Sequence, residues 1–185
     1  HGRSIDTSMG FTPTEGLMMG TRSGDVDAGV LLHLLRQDGM DVERVERLLT
    51  QEGGLLGLSG ESADMRTLEK RAEEGDHRAL LAVKAYCYRL RKYIGAYAAA
   101  MGGIDTLVFT GGVGHGSAGV RSLACQGLEW MGIVLDEDRN RRGAPGEDAV
   151  DVAADGCAVR VLVVADDDRR MVARETMRTL QREYI

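Results

Sequence analysis

The chain has 185 residues, of which 43% are hydrophobic and 28% charged, a composition that fits one α/β domain and excludes a disordered or fibrous protein. A net charge of −6 argues against nucleic-acid binding through a basic face, and no stretch approaches the roughly eighteen consecutive apolar residues of a membrane span. We therefore expect a cytoplasmic protein that binds neither nucleic acid nor membrane, with its three separated cysteines reduced.

The first half of the chain is predicted to be mostly helical. Residues 4–24 show neither helical nor strand periodicity and predict an extended loop. Apolar residues at helical spacing then predict helices at 26–37, 41–51, 65–74 and 77–101. The last of these is rich in small residues that let another backbone approach closely, which favours a central position in the core.

In the second half, strands are predicted to alternate with helices. The predicted elements are a strand at 106–110, a helix at 118–126, strands at 132–135 and 159–164, and a final helix reaching about Thr179. The charged segment 136–155 is predicted to be a surface excursion. This alternation predicts an α/β fold with a mainly parallel sheet covered by helices on both faces.

A glycine-rich segment, Gly111-Gly112-Val113-Gly114-His115-Gly116-Ser117, lies between a predicted strand and a predicted helix. Exposed backbone N–H groups at such a position suit an anionic phosphate, and glycine lets a ligand approach the main chain. The segment is not a P-loop, because the Lys-Ser/Thr ending is missing, and its spacing does not match a dinucleotide fingerprint. By itself the pattern leaves phosphate binding and a merely tight turn equally open.

Three further groups could contribute to chemistry. The triplet 166–168 follows another apolar strand, where Mg²⁺ could use a carboxylate together with phosphate oxygens, but position alone favours a helix cap. Arg22 lies in an irregular segment, where its guanidinium could stabilise a transferring phosphoryl group or form a surface ion pair. Asp64 and Arg66 are either nucleotide contacts or an ordinary cap and salt bridge, and the residues alone favour the second interpretation.

The string DTSMGFTPTEGLMMGTRSGDVDAG at 6–29 closely resembles the signature of acetate and propionate kinases, members of the sugar kinase, Hsp70 and actin superfamily. Further similar segments follow in the expected order: GLLGLSGESADMR at 54–66, YIGAYAAAMGGID at 93–105, VFTGGVGHGS at 108–117, GLEWMGIVLDEDRN at 127–140 and MVARET at 171–176. The resemblance implies a ribonuclease H-like, actin/Hsp70-type ATPase domain with a mixed sheet and helices on both faces. It implies that residues 1–185 are the C-terminal nucleotide-binding half, with the N-terminal domain and the first strands of this domain missing.

The resemblance also assigns roles to individual residues. It implies that Arg22 is catalytic and that Asp168 is associated with Mg²⁺. The residues that it assigns to nucleotide binding are Asp64, Met65, Arg66, Gly111, Gly112, Val113, Gly114 and Gly116. The implied reaction transfers the γ-phosphoryl group of ATP to acetate, giving acetyl phosphate and ADP, and the fragment alone is expected to be inactive.

The chain departs from the family pattern near these residues. The family usually has Phe where this chain has Met65, Glu-Asn where it has His115-Gly116, and Pro-Thr-x-Glu-Glu where it has residues 165–169; Ala28 replaces a usual Pro. These changes imply the loss of one side-chain amide contact to the nucleotide and a shorter reach toward the metal.

Two alternative interpretations stay open. The first is a propionate or butyrate kinase, since acyl selectivity is expected to reside in the missing half. The second is a non-catalytic scaffold that has lost nucleotide binding and dimerises. The expected partners of a kinase are acetate or another short carboxylate, ATP or ADP with Mg²⁺, and a second copy of the chain.

Overall fold

The computed structural model describes residues 3–143 and 149–183. Within these ranges the helices are α1 (Ala28–Leu34), α2 (Val42–Thr50), α3 (Gly54–Ser59), α4 (Met65–Glu73), α5 (His77–Met101), α6 (Gly111–Gly116), α7 (Ala118–Cys125), α8 (Glu137–Arg142) and α9 (Asp168–Glu183). The strands are β1 (Thr106–Phe109), β2 (Ala149–Asp151) and β3 (Arg160–Val164), and Glu129–Met131 form a short 3₁₀ turn.

Aspartate side chains fix where many of the helices begin. At the N-termini of α1, α2, α4, α5 and α8 an aspartate carboxylate accepts hydrogen bonds from backbone N–H groups of the first turn. This capping satisfies donors that have no partner within the helix. The predicted helix at 77–101 is confirmed with the same bounds, and it ends at Gly102, which takes the left-handed conformation at φ 74°.

The strands form one mixed sheet in the order β1-β3-β2. β1 runs parallel to β3, and β2 runs antiparallel to it, so the predicted mixed α/β fold is confirmed and the sheet is less parallel than the alternation suggested. Phe109, Val161 and Val163 point from one face into a core shared with Ile94 of α5 and with α7. On the opposite face the edge of the sheet is more open, since Val108 keeps 49% of its surface exposed.

A second hydrophobic core joins α3, α4, α5 and α7. Its buried residues include Leu55, Leu68, Ala82, Cys87 and Val120. Because α5 contributes to both cores, the prediction that this helix is central is confirmed. The free cysteines Cys87 and Cys125 are buried and Cys157 is half-buried.

Several predicted elements differ from the observed ones. Residues 132–135 do not form a strand: Gly132 takes φ 81° and only Leu135 makes an isolated bridge, to Ala153. The predicted excursion at 136–155 contains α8 and β2, and Asn140 within it is completely buried, as described below. Helix α3, bounded by glycines, was not predicted, and α1 is shorter than the pattern suggested.

Helix α9 lies apart from the two cores. All of its described side chains are exposed, including those of Met171, Val172, Met177 and Leu180. Across the described ranges, no helix combines the length and apolar character needed to cross a membrane.

Candidate functional site

The glycine-rich segment forms the short helix α6 between β1 and α7. Gly111 takes φ 71°, a left-handed conformation that only glycine adopts without strain, and this bends the chain from β1 into α6. Gly112 is not in that region, and a methyl group added to it would meet no atom within 4 Å. The backbone of α6 is therefore openly accessible at Gly112.

The start of α4 faces this turn. The Asp64 carboxylate caps α4 by accepting bonds from the backbone N–H and the hydroxyl of Thr67, at 2.8 and 2.9 Å. The backbone bond from Thr67 is the main cause of a lowered pKa of Asp64. Met65 is buried at 4% exposure, and a Cβ added at Gly116 would lie 3.5 Å from Nη2 of Arg66. Asp64 therefore forms the helix cap that the residues alone favoured, and it also lies beside α6.

Between α4 and α6 lies a cavity of about 350 Å³. The residues that line it are Ala63, Asp64, Met65, Arg66, Gly112, Val113, Gly116 and Ser117. Six residues predicted to bind nucleotide thus share one cavity. Of the other two predicted residues, Gly111 makes the bend, and Gly114 packs against Phe109, where an added Cβ would come within 3.3 Å of backbone carbon.

Arg22 lies in a different, neighbouring cleft. The cleft has a volume of about 680 Å³, and its wall includes Arg22, Pro13 and the apolar side chains Val42, Val45 and Leu49. The Arg22 guanidinium donates to the Met19 sulfur at 3.4 Å.

The segment that carries Arg22, residues 17–24 and called the arginine segment below, is anchored by its backbone. The N–H groups of Leu55 and Leu56 donate to the carbonyls of Met19 and Gly20, at 3.0 and 2.9 Å. Gly20 packs closely on Ala63, since an added Cβ would lie 2.9 Å from the Ala63 carbonyl oxygen. The arginine segment therefore contacts the wall of the cavity between α4 and α6 at Ala63, although the guanidinium does not line that cavity.

A polar cluster around Asp25, which the sequence did not predict, holds the two ends of the arginine segment. One oxygen of the Asp25 carboxylate accepts from the Gly16 N–H at 2.8 Å, and the other accepts from the Tyr93 hydroxyl at 2.5 Å and pairs with Arg89 at 2.9 Å. The Tyr93 bond is the main cause of a lowered pKa of Asp25, and burial is the main cause that raises the pKa of Tyr93 to about 12. Asp25 thereby ties both ends of the segment to α5.

Two more residues that sequence reasoning missed lie behind α6. Arg121 and Asn140 are 1% and 0% exposed, and the Arg121 guanidinium bonds to carbonyls at the end of α6. A charged segment gives no sign that Asn140 is buried, and an arginine in a short helix gives no sign of its partners. Only the tertiary fold brings the two together.

Asp168, the residue predicted to be associated with a metal, is the first residue of α9 and is exposed. It does not line the cavity between α4 and α6. Its neighbour Asp167 caps α9, since its carboxylate accepts from the Arg170 N–H at 3.2 Å. Among the residues that the structure describes, no three His, Cys, Asp or Glu side chains are grouped to hold a metal.

Comparison with known proteins gives a consistent result. Residues 1–174 match the model of the acetokinase family. An acetate kinase from Phocaeicola vulgatus is 48% identical over 181 residues, which are 98% of this chain and 45% of that protein. The chain thus spans less than half the length of this curated relative.

Solved structures agree with the sequence match. The crystal structure of Porphyromonas gingivalis acetate kinase superposes with a TM-score of 0.90 at 45% identity, covering 97% of this chain and 44% of that one. A propionate kinase from Francisella tularensis superposes with a TM-score of 0.86 at 33% identity, covering 94% and 44%. Together with the match over residues 1–174, these likenesses show that the chain belongs to the acetokinase family.

Proposed function

We propose that this chain is the nucleotide-binding part of an acetate kinase, which transfers the γ-phosphoryl group of ATP to acetate and releases acetyl phosphate and ADP. The observation that carries the proposal is the cavity between α4 and α6, which brings together Asp64, Met65, Arg66, Gly112, Val113 and Gly116. These residues come from two separate segments, and both segments resemble family motifs.

The walls of the cavity suit the different parts of a nucleotide. Met65 offers an apolar surface for the nucleoside, and the open backbone at Gly112 lets a ligand approach the main chain. Arg66, beside Gly116, supplies a cation for phosphate oxygens. With His115 and Gly116 in place of Glu-Asn, the turn lacks one side-chain contact, so we expect nucleotide binding to be weak.

The cleft that contains Arg22 suits the acceptor end of the reaction. A guanidinium next to apolar side chains can bind a short carboxylate and can stabilise charge on a phosphoryl group in transfer. The higher identity to an acetate kinase structure, 45% against 33% for a propionate kinase, supports acetate as the acceptor.

Magnesium enters the proposal with the nucleotide. The ion would neutralise phosphate charge, and Asp168 is the residue proposed to contribute a carboxylate. The chain itself contributes two cations, Arg66 in the cavity between α4 and α6 and Arg22 in the second cleft.

We further propose that residues 1–185 act within a longer, cytoplasmic enzyme that dimerises. The coverage of 45% of the Phocaeicola vulgatus relative supports this, as do the exposed apolar residues of α9 and the open sheet face at Val108. Phosphoryl transfer needs groups positioned on both sides of the transferring atom, so we expect the present chain alone to bind nucleotide without turnover.

Titration calorimetry with MgADP tests the proposal. The unchanged chain should bind, and Arg66→Ala should weaken the affinity about ten- to hundredfold, because removing a charged hydrogen-bonding partner from a phosphate costs roughly 1.5–3 kcal/mol. Lys70→Ala is the matched control. Lys70 is an exposed cation on the same helix, α4, and it does not line the cavity. No heat at millimolar MgADP with the unchanged chain, or equal losses in the two variants, would contradict the proposal.

A further inference from the structure

Arg121 makes four hydrogen bonds from a buried position. Its Nη1 donates to the carbonyls of Gly114 and His115, at 2.9 and 2.8 Å, and its Nη2 donates to the carbonyl of Asn140 at 2.8 Å. Its Nε donates to the side-chain oxygen of Asn140 at 2.6 Å. The guanidinium therefore links the last turn of α6 to α8.

Asn140 in turn is held by α7. Its side-chain amide nitrogen donates to the Ala118 carbonyl at 3.0 Å and to the Ser122 hydroxyl at 2.9 Å. Asn140 is completely buried, so these bonds do not compete with solvent. The asparagine fixes the position of the guanidinium, and the guanidinium fixes the end of α6.

All four acceptors of Arg121 are neutral. Burial lowers the pKa of the guanidinium, and a buried charge that meets only neutral acceptors is expensive unless its donors are satisfied. The planar fork of arginine reaches two consecutive carbonyls of α6 and Asn140 at the same time, which a lysine cannot do. The geometry thus uses a property specific to arginine at this position.

The opposite side of α6 faces the cavity. Gly112, Val113 and Gly116 line it, while the carbonyls of Gly114 and His115 turn back to Arg121. Just beyond α6, the Ser117 hydroxyl donates to the Glu69 carboxylate of α4 at 2.5 Å. Helix α6 is therefore held by Arg121 on the side away from the cavity, and the residue that follows it is bonded to α4.

We propose that Arg121 is a positioning residue of the nucleotide site, which preforms the backbone of α6 facing the cavity, and that Asn140 acts through Arg121. The inference rests on the nucleotide site proposed above. Arg121 itself does not line the cavity, so its effect on a ligand passes through the turn.

Hydrogen exchange measures the turn without any ligand. In Arg121→Lys, the peptide covering residues 111–117 should exchange at least about tenfold faster, because the lysine cannot hold both carbonyls, while peptides of α5 and β3 exchange as before. Ile133→Val is the control: Ile133 is completely buried in the sheet core, and its side chain makes no hydrogen bond to the turn. This control should leave exchange of 111–117 unchanged.

MgADP titration of the same variants gives the second measurement. Arg121→Lys and Asn140→Ser should each weaken affinity about tenfold, and the double variant should lose less than the product, because the two residues act on the same turn. Ile133→Val should bind as the unchanged chain does. Should Arg121→Lys fail to fold by circular dichroism, Asn140→Ser carries both predictions, since it leaves the arginine in place.

The outcomes separate the two proposals. A folded variant with unchanged exchange at 111–117 and unchanged MgADP affinity overturns the role of Arg121. Absence of binding by the unchanged chain contradicts the proposed function, and the exchange measurement then still decides whether Arg121 holds the turn.

Discussion

Helix α6 and the arginine segment are held in place in opposite ways. Behind α6, Arg121 and Asn140 are almost completely buried, and all four acceptors of Arg121 are neutral. Around the arginine segment, Asp25 keeps 39% of its side-chain surface exposed and bonds to Tyr93 and Arg89. One segment depends on a few bonds that water cannot replace, and the other on bonds that water partly screens.

This difference indicates which parts of the site tolerate amino-acid substitution. A buried acceptor that loses its donor keeps its full desolvation cost, whereas an exposed acceptor finds a water molecule. The arginine segment also has backbone bonds to α3 that do not depend on any side chain. We therefore expect α6 to be fragile toward substitution behind it, and the arginine segment to be robust.

The largest expected effect is that of Arg121→Met, which removes the donor from four acceptors at once, two of them buried and two partly buried. Unfolding free energy should fall by roughly 3 kcal/mol, because several carbonyls and the Asn140 oxygen lose their partner. Urea denaturation followed by circular dichroism measures it. A loss below about 1 kcal/mol would show that water enters behind α6, and the contrast between the two segments would then disappear.

A smaller effect, with opposite signs in two measurements, is expected for Gly112→Ala. The backbone at Gly112 can accept alanine and the added methyl group meets open space, so stability should rise by about 0.5 kcal/mol. If a nucleotide approaches this backbone, MgADP affinity should fall about tenfold, since the methyl group occupies the approach. Thermal denaturation and calorimetry test the two signs. Gain of stability with unchanged affinity would mean that the ligand contacts another face of α6.

The sequence predicted those parts of this molecule that local chemistry decides. Helix α5 has a long apolar period, an aspartate cap and a terminal glycine, and it was predicted with the observed bounds. Family resemblance brought the residues of 64–66 and 112–116 to one site, and the cavity between α4 and α6 contains most of them. The alternation of strands and helices predicted an α/β fold, and the resemblance predicted its mixed sheet.

The parts that failed depend on partners distant in the chain. Residues 132–135 read as a strand, yet Ile133 is buried by side-chain packing without pairing as part of a strand. Asn140 lies in a charged stretch and is buried where Arg121, Ala118 and Ser122 bond to it. The separation of Arg22 from the cavity of Gly112 likewise depends on how 17–24 lies on α3, which no local pattern records.

The smallest expected effect is that of Asp25→Asn, and its dependence on pH identifies the charge as the cause. At pH 7 the variant should lose about 1 kcal/mol or less, because the pair with Arg89 is partly exposed. The amide has a single acceptor oxygen, so it cannot accept from both the Gly16 N–H and the Tyr93 hydroxyl. The folded state lowers the pKa of Asp25 from 3.8, so its carboxylate stabilises the fold above that pH and loses the contribution as pH falls through the folded value. The stability difference between the two chains should therefore close below about pH 3.8.

Urea denaturation at pH 7 and at a series of values down to pH 3 measures this closure. Asp138→Asn is the control, since Asp138 is 82% exposed and pairs with Arg141 three residues along α8, so it should change stability by a few tenths of a kcal/mol at most. A stability difference for Asp25→Asn that stays constant with pH would mean that the shape of the amide, and not the lost charge, loosens the arginine segment. A loss as large as that of Arg121→Met would show that exposure does not separate the two supports, because the surface cluster would then hold its segment as firmly as the buried one.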